Sequence, residues 1–320
     1  MLIEIDSSAI DDAIGKGNSA EKSRECIENL LLAHRAGKHV VWIDKAQTAR
    51  LSAVHDALGP REKGALRNIE ASSSEILGLR NRMKWLIQVG LGATFDGSAM
   101  QGGKEIIRVS LHHFDDLTRS TNGTILLGEN PKDAVLYRIL GEAFVAHCGW
   151  RTQLSFDERG GGGSTTAPTF AKLCAEGKIV LAIVDSDRSH AGAPLGQTAE
   201  NVQKIGHTPL QHVHVLHVRY AENLISPPVY EEAFAGKKSE LTALAELKQT
   251  ERQGGTSAFH DHANLKDALG KKALELAVAW MENKDRKRMA KLLGIEKKGP
   301  VGELCEKLVA WGIAPNTRPA

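Results

Sequence analysis

The stretch Lys178–Arg188, KIVLAIVDSDR, constrains the fold of this chain more than any other. Ile179 to Val184 are six consecutive apolar residues, four of them β-branched, with Gly177-Lys178 before them and Asp185 after. A short run of this kind predicts a strand buried on both faces, as in a parallel sheet. It ends abruptly at two carboxylates, Asp185 and Asp187, separated by one serine. Ligands of open α/β sheets sit beyond the carboxyl ends of the strands. Two carboxylates at such an end can converge on a hard divalent cation such as Mg²⁺ or Mn²⁺. Taken alone, a DxD is equally a solvated turn that caps the next helix.

At 320 residues the chain can hold two domains, or one large one, with a full core. A hydrophobic fraction of 42% and a charged fraction of 25% are ordinary for a globular protein. The net charge of +2 gives no bulk attraction to nucleic acid, although a local basic groove is compatible with it. Cys26, Cys148, Cys174 and Cys305 form no CxxC pair, which argues against a zinc ribbon or a disulfide framework. The N-terminus, MLIEIDSS, lacks a basic-then-apolar leader pattern, and no apolar run approaches the ~20 residues that span a bilayer. The expectation is a cytoplasmic protein with no membrane partner.

The first 120 residues open as βαβα. Met1–Ile5 and His39–Ile43 read as strands ending at Asp6 and Asp44, and Ser19–Ala36 as a helix capped by Ser19 and stopped by Gly37. Gln47–Leu58 and Ala65–Val89 carry helical periodicity, and Ile106–Leu111 reads as a strand. An acid after each of two strands faintly resembles half of a PIN-like nuclease, while strand-end aspartates also simply start helices. From Thr124 the order is β-α-β-loop-α-β-α-β, which predicts a parallel sheet with crossovers. Thr124–Leu127, Arg151–Leu154, Ile179–Val184 and Gln211–Val218 are its strands, and DERGGGGSTT, Asp157–Thr166, is its loop. Pro227-Pro228 breaks the chain. Glu231–Lys248, Leu265–Asn283, Arg286–Leu293 and Gly302–Trp311 then read as helices. The expected division is 1–120, an N-terminal α/β region; 121–228, a catalytic core; and 229–320, a helical C-terminal region.

The acids of the core make a pattern. Glu129 and Asp133 stand four apart where a strand passes into a helix, Asp185 and Asp187 end the central strand, and Glu222 follows the next one. In a parallel sheet these places share one edge. A like-charge pair at ~4 Å costs about 1 kcal/mol in water and about 4 kcal/mol at a partly buried site, so convergence implies neutralising cations.

The block Thr124–Asn223 resembles a Toprim domain, the fold of topoisomerases, primases and OLD-family nucleases. The residues that carry the resemblance are GEN at Gly128–Asn130, DSD at Asp185–Asp187, and the extra acid Asp133. The glycine-rich DERGGGGSTT lies between the two acidic motifs, and RYAENLIS at Arg219–Ser226 carries a glutamate-asparagine pair after a strand. The fold implied is α/β, a Toprim-like parallel-sheet core between the N-terminal α/β region and the helical C-terminal region. No GxxxxGK[ST] occurs, so the ATPase region of many OLD-family proteins is not visible.

The resemblance implies a Mg²⁺- or Mn²⁺-dependent endonuclease acting on DNA or RNA by a two-metal route. Asp133, Asp185, Asp187 and Glu222 would hold the cations, and Glu129 would complete a metal site or move protons. Gly160–Gly163, with Ser164 and Thr165, would cradle phosphate through backbone N–H groups. A C-terminal lysine, Lys266 or Lys271, would face the scissile phosphate. His260 and His262 are adjoining candidate ligands, whereas His212, His214 and His217 read as split between two strand faces. Tyr137, Tyr220 and Tyr230 have no recognisable nucleophile context, which favours a nuclease over a topoisomerase. Lys284–Arg288 and Lys297-Lys298 could track a nucleic-acid backbone or form a solvated face. Expected partners are a nucleic-acid substrate, a separate ATPase or sensor subunit, and further copies of the chain. The company such nucleases keep points to antiviral defence. Two other readings stand beside this one: a non-catalytic Toprim-like sensor or partner-binding protein, and a DxD metal-nucleotide transferase, which leaves Glu129 and Glu222 unexplained.

Overall fold

The computed structural model describes residues 1–53, 58–116, 122–206, 208–254, 261–270, 272–295 and 300–316. The N-terminal region runs β1 (Leu2–Ile5), α1 (Ser7–Ala13), α2 (Asn18–Arg35), β2 (Val40–Trp42), α3 (Lys45–Ala53), α4 (Pro60–Ala71), α5 (Ser73–Arg82), β3 (Trp85–Gly90), β4 (Asp96–Gln101) and β5 (Lys104–Ser110). Its sheet has the order β2-β1-β3-β5-β4 and is parallel except for β4, which pairs antiparallel with β5. The helix expected over Ala65–Val89 therefore ends early: α4 and α5 break at Ser72, and Trp85–Gly90 is a central strand. Apolar residues at 85, 86, 87 and 89 satisfy either period when a strand is covered on both faces. Asp6 accepts the Ser8 N–H at 2.8 Å and Asp44 accepts the Ala46 N–H at 2.9 Å. Both therefore start helices, the ordinary use of a strand-end aspartate. Ser19 does not cap α2; its hydroxyl donates to Asp12.

The chain then runs through β6 (Thr124–Gly128), α6 (Pro131–Cys148), β7 (Gln153–Leu154), β8 (Phe156–Gly160), α7 (Thr166–Ala175), β9 (Val180–Val184), α8 (Gln197–Gln203) and β10 (Gln211–Val215), forming a second sheet from which β7, expected within it, is excluded. Its four strands lie in the order β10-β9-β6-β8, all parallel. Asp157–Gly160, expected in a loop, belongs to the edge strand β8, whose alternating exposure hides it from an apolar-run search. All five residues of β9 are buried, as the unbroken apolar run requires. Each of its buried Val, Leu and Ile side chains contributes roughly 1.5–3 kcal/mol.

The order has a consequence for the site. From β6 the chain crosses through α6 to β8 on one side, then through α7 to β9 on the other. Leu136, Ile139 and Leu140 of α6 pack with Leu126, Leu181 and Ile183. Phe170 and Leu173 of α7 and Val202 of α8 pack with Ile125, Leu127 and Val184 on the opposite face. The connections diverge between the carboxyl ends of β6 and β9, which is where open α/β sheets form their ligand crevice.

The C-terminal region is helical: α9 (Pro227–Ala233), α10 (Lys238–Gly254), α11 (Leu265–Ala268), α12 (Ala273–Glu282), α13 (Arg286–Leu293) and α14 (Pro300–Gly312). The helix expected over Glu231–Lys248 is divided by a turn at Gly236, and Leu265–Asn283 by one at Gly270, both with positive φ. The chain ends on β11 (Ile313–Ala314), antiparallel to β7. Arg138 of α6 ties this region to the sheet. It pairs with Glu142 at 2.9 Å, Glu158 of β8 at 2.6 Å and Glu282 of α12 at 3.6 Å, while Arg286 of α13 reaches Glu142 at 2.7 Å. Removing Arg138 leaves half-buried carboxylates facing one another. Arg138→Ala should therefore lower unfolding stability by about 1–3 kcal/mol, above the typical cost of losing a surface pair. Urea denaturation reads this directly, and a loss under about 0.5 kcal/mol would mean the network contributes little.

Candidate active site: an acid cluster at the switch point

Glu129 leaves β6 at the turn into α6. A Cβ at Gly128 would stand 2.9 Å from both Ala134 N and Asp133 Cβ, so only glycine allows the strand to meet the helix this closely. Asp133 closes the turn: its Oδ2 accepts the Asn130 N–H at 2.8 Å, a first-turn acid capping its own helix. Asn130, Pro131 and Asp133 thus form a helix start as well as part of an acidic motif, and Oδ1 of Asp133 remains for the cluster.

Asp185 sits at the centre, only 2% exposed. Its N–H donates to Glu129 Oε1 at 2.9 Å, its Oδ1 accepts the Ala221 N–H at 3.0 Å, and its Oδ2 meets Lys266 Nζ at 2.8 Å. One residue therefore joins the ends of β6, β9 and β10 to α11. Ser186 donates to Val218 O at 2.7 Å, and the Asp187 N–H to Arg219 O at 3.0 Å, which closes the DSD turn onto the chain after β10. Asp187 is exposed and has a left-handed φ of 55°. A Cβ at Gly196 would lie 2.1 Å from its Oδ2, so the Gly196 backbone forms its seat.

Glu222 lies in the 3-10 turn Ala221–Leu224 and is buried. Asn223 beside it accepts the Tyr220 N–H at 3.0 Å and donates to Ala263 O at 3.1 Å, so the asparagine of the pair is architectural. Lys266 Nζ stands 4.0 Å from Glu222 Oε2 and 4.0 Å from the centroid of the Tyr220 ring. Arg219 lies over the same ring at 4.9 Å. Of the two lysines expected to serve the site, Lys266 is in place; Lys271 lies outside the described residues, as does His260. His262 Nδ1 contacts Arg188 O at 3.2 Å, so that nitrogen is engaged with backbone.

Burial, and then the charge of Asp185, push Glu129 up to about 8 and Asp133 up to about 7. Burial raises Asp185 and Glu222 as well, with the Lys266 ammonium opposing it. Burial acts to lower Lys266, but the charges of Asp185 and Glu222 outweigh it and raise its pKa.

The glycine-rich loop has a different duty from the one expected. The N–H of Gly161 donates to Gly128 O at 2.8 Å, and those of Gly162 and Gly163 to Glu129 O at 2.8 and 3.1 Å. These donors are spent on holding the Glu129 turn and do not form a phosphate cradle. Thr165 turns its hydroxyl back to Gly161 O at 2.6 Å, whereas Ser164 is exposed. The basic segment is also largely committed: Arg286 to Glu142, Arg288 to Glu232, and Lys284 over Trp280. Lys297-Lys298 lies outside the described residues. The strand histidines share one side. His212 stacks on Trp311, His214 takes Lys307 Nζ at 3.1 Å, and His217 meets Glu303 at 3.4 Å, all on α14. His212 and His214, two apart on β10, point the same way, and His217, expected on the other face, lies beyond the strand's end at Val215.

Among the described residues no group of three or more His, Cys, Asp or Glu stands ready-made at metal-ligand spacing. The donor chemistry nevertheless fits a hard cation. The cluster's carboxylates offer only oxygens, and Glu222 Oε2 is buried without a hydrogen-bond partner among the described residues. To share a cation, the carboxylates of Glu129, Asp133, Asp185, Asp187 and Glu222 must turn inward and Lys266 must yield part of Asp185. Among the described residues no helix is long and apolar enough to cross a membrane. Comparison with known protein families, with curated proteins and with solved structures finds no match.

The raised Glu129 carboxyl has a measurable effect. The unfolded chain releases this proton near its ordinary value of 4.5 and the folded chain near 8, so the contribution of Glu129 to stability is full below pH 4.5 and lost by about pH 8. In EDTA, the stability advantage of Glu129→Gln over the wild type should grow from pH 5 to pH 8, by roughly 1–3 kcal/mol after discounting solvent screening. A difference that stays constant with pH would contradict this placement of Glu129.

Proposed function

We propose that the chain is a metal-dependent nuclease of the Toprim type, cleaving phosphodiester bonds of DNA or RNA with Mg²⁺ or Mn²⁺. The observation that carries the reading is the meeting of Glu129, Asp133, Asp185 and Glu222 at the sheet's switch point with Lys266 against Asp185.

In this reading Asp133, Asp185, Asp187 and Glu222 hold the cation, with Glu129 at its border. The bound cation would lower the pKa of water and polarise the phosphoryl oxygens. Glu129, held near neutrality, is suited to take or return a proton through Oε2. Lys266 offsets charge that develops on the phosphate in the transition state. Arg188 and Arg219, at the ends of the DSD turn and of the chain after β10, have buried Nε atoms without partners among the described residues and supply positive charge for the flanking backbone.

One observation favours the non-catalytic reading: Lys266 already neutralises Asp185, so the cluster can persist as a structural ion pair. Incubating the full chain with supercoiled plasmid, single-stranded DNA and transfer RNA, each with Mg²⁺, Mn²⁺ or EDTA, separates the two. The nuclease reading predicts cation-dependent cutting of at least one substrate, reduced about 100-fold or more by Asp185→Asn and by Lys266→Ala. Intact substrates in every arm would favour the binding scaffold.

A further inference from the structure

We propose that Tyr137 is a positioning residue of the acid cluster, its hydroxyl reserved for the cation-loaded site. The inference rests on the cation reading above. Tyr137 stands one turn after Asp133 on α6. Helical side chains lean toward the N-terminus of their helix, so the phenol rises toward the level of Asp133. The side chain is completely buried, and its hydroxyl has no hydrogen-bond partner among the described residues. The charges of Asp133, Asp185, Glu129 and Glu222 all bear on it.

A buried hydroxyl without a partner is a standing cost to the fold. Phenylalanine would fill the same space without that cost, so the oxygen calls for a partner that the described residues do not supply. Tyr230 is the internal contrast. It is equally buried, but its hydroxyl donates to Glu222 O at 2.9 Å. Glu222 Oε2 is a second orphan in the cluster, an acceptor where Tyr137 is a donor. When the carboxylates turn inward, the Tyr137 hydroxyl donates to one of them and fixes which oxygen faces the cation. Such supporting contacts typically change cation affinity by about 10- to 100-fold. Tyr137 keeps its proton throughout, because burial and its acidic neighbours hold its pKa far above the ordinary range.

Wild type, Tyr137→Phe and Tyr230→Phe would be compared for melting temperature in EDTA and for Mn²⁺ affinity, read from the spin-resonance signal of free Mn²⁺. Tyr137→Phe should melt about 2 °C or more above wild type and bind Mn²⁺ about tenfold more weakly, whereas Tyr230→Phe should melt below wild type. Unchanged Mn²⁺ affinity in Tyr137→Phe would overturn the proposal, and so would a melting point below wild type, which would mean that the hydroxyl already has a partner. A wild type that binds no Mn²⁺ would instead remove the cation reading and this proposal with it, an outcome distinct from equal affinities.

Discussion

A carboxylate that cannot reach water organises this molecule. Asp185 ends a strand whose five residues are buried, and it is itself only 2% exposed. Its charge must be met locally, and two separate parts of the chain meet it, the Ala221 N–H at one oxygen and Lys266 at the other, while its own N–H holds the Glu129 side chain. The architecture around it follows from that need. Parallel pairing brings the ends of β6, β9 and β10 to one edge, the crossovers diverge there, and the C-terminal region delivers the lysine.

The same need explains elements that resemble ligand-binding devices. The glycine-rich strand-to-helix connection spends its N–H groups on Gly128 and Glu129 carbonyls, fixing the turn from which Glu129 projects. Asp133 spends one oxygen on its helix, and Asn223 spends its amide on the neighbouring chain. Gly196 leaves room for Asp187 in its left-handed conformation. Each contact holds acids together against their repulsion. That work is worth its cost where a cation is to be received, and Glu129 and Asp133 remain partly protonated near neutrality without one.

Much of this was legible in the sequence where a single physical rule decides the outcome. Ile179–Val184 is short, unbroken and β-branched, which favours a covered strand over a helix. Glu129, Asp133, Asp185 and Glu222 converge because a parallel sheet puts its strand ends together. Legibility failed where two rules coincide. Trp85–Gly90 satisfies helical and strand periods alike, and β8 alternates like an exposed segment because it is an edge. The duty of Gly161–Gly163 depends on which carbonyls the loop meets, a long-range fact that composition does not carry. In the sequence Tyr137 is a tyrosine without a nucleophile context. Its spacing of four from Asp133 was the available signal, and only burial of its unpaired hydroxyl gives that spacing meaning.

If these acids take up a hard cation, as proposed, they must shed protons in doing so. Calorimetric titration of Mg²⁺ or Mn²⁺ into the full chain at pH 7, repeated in buffers of different ionisation enthalpy, tests it most directly. Saturable binding with release of about one proton per cation is expected, since raised carboxyl groups must ionise to ligate. Absence of binding, or binding without any proton release, would contradict it.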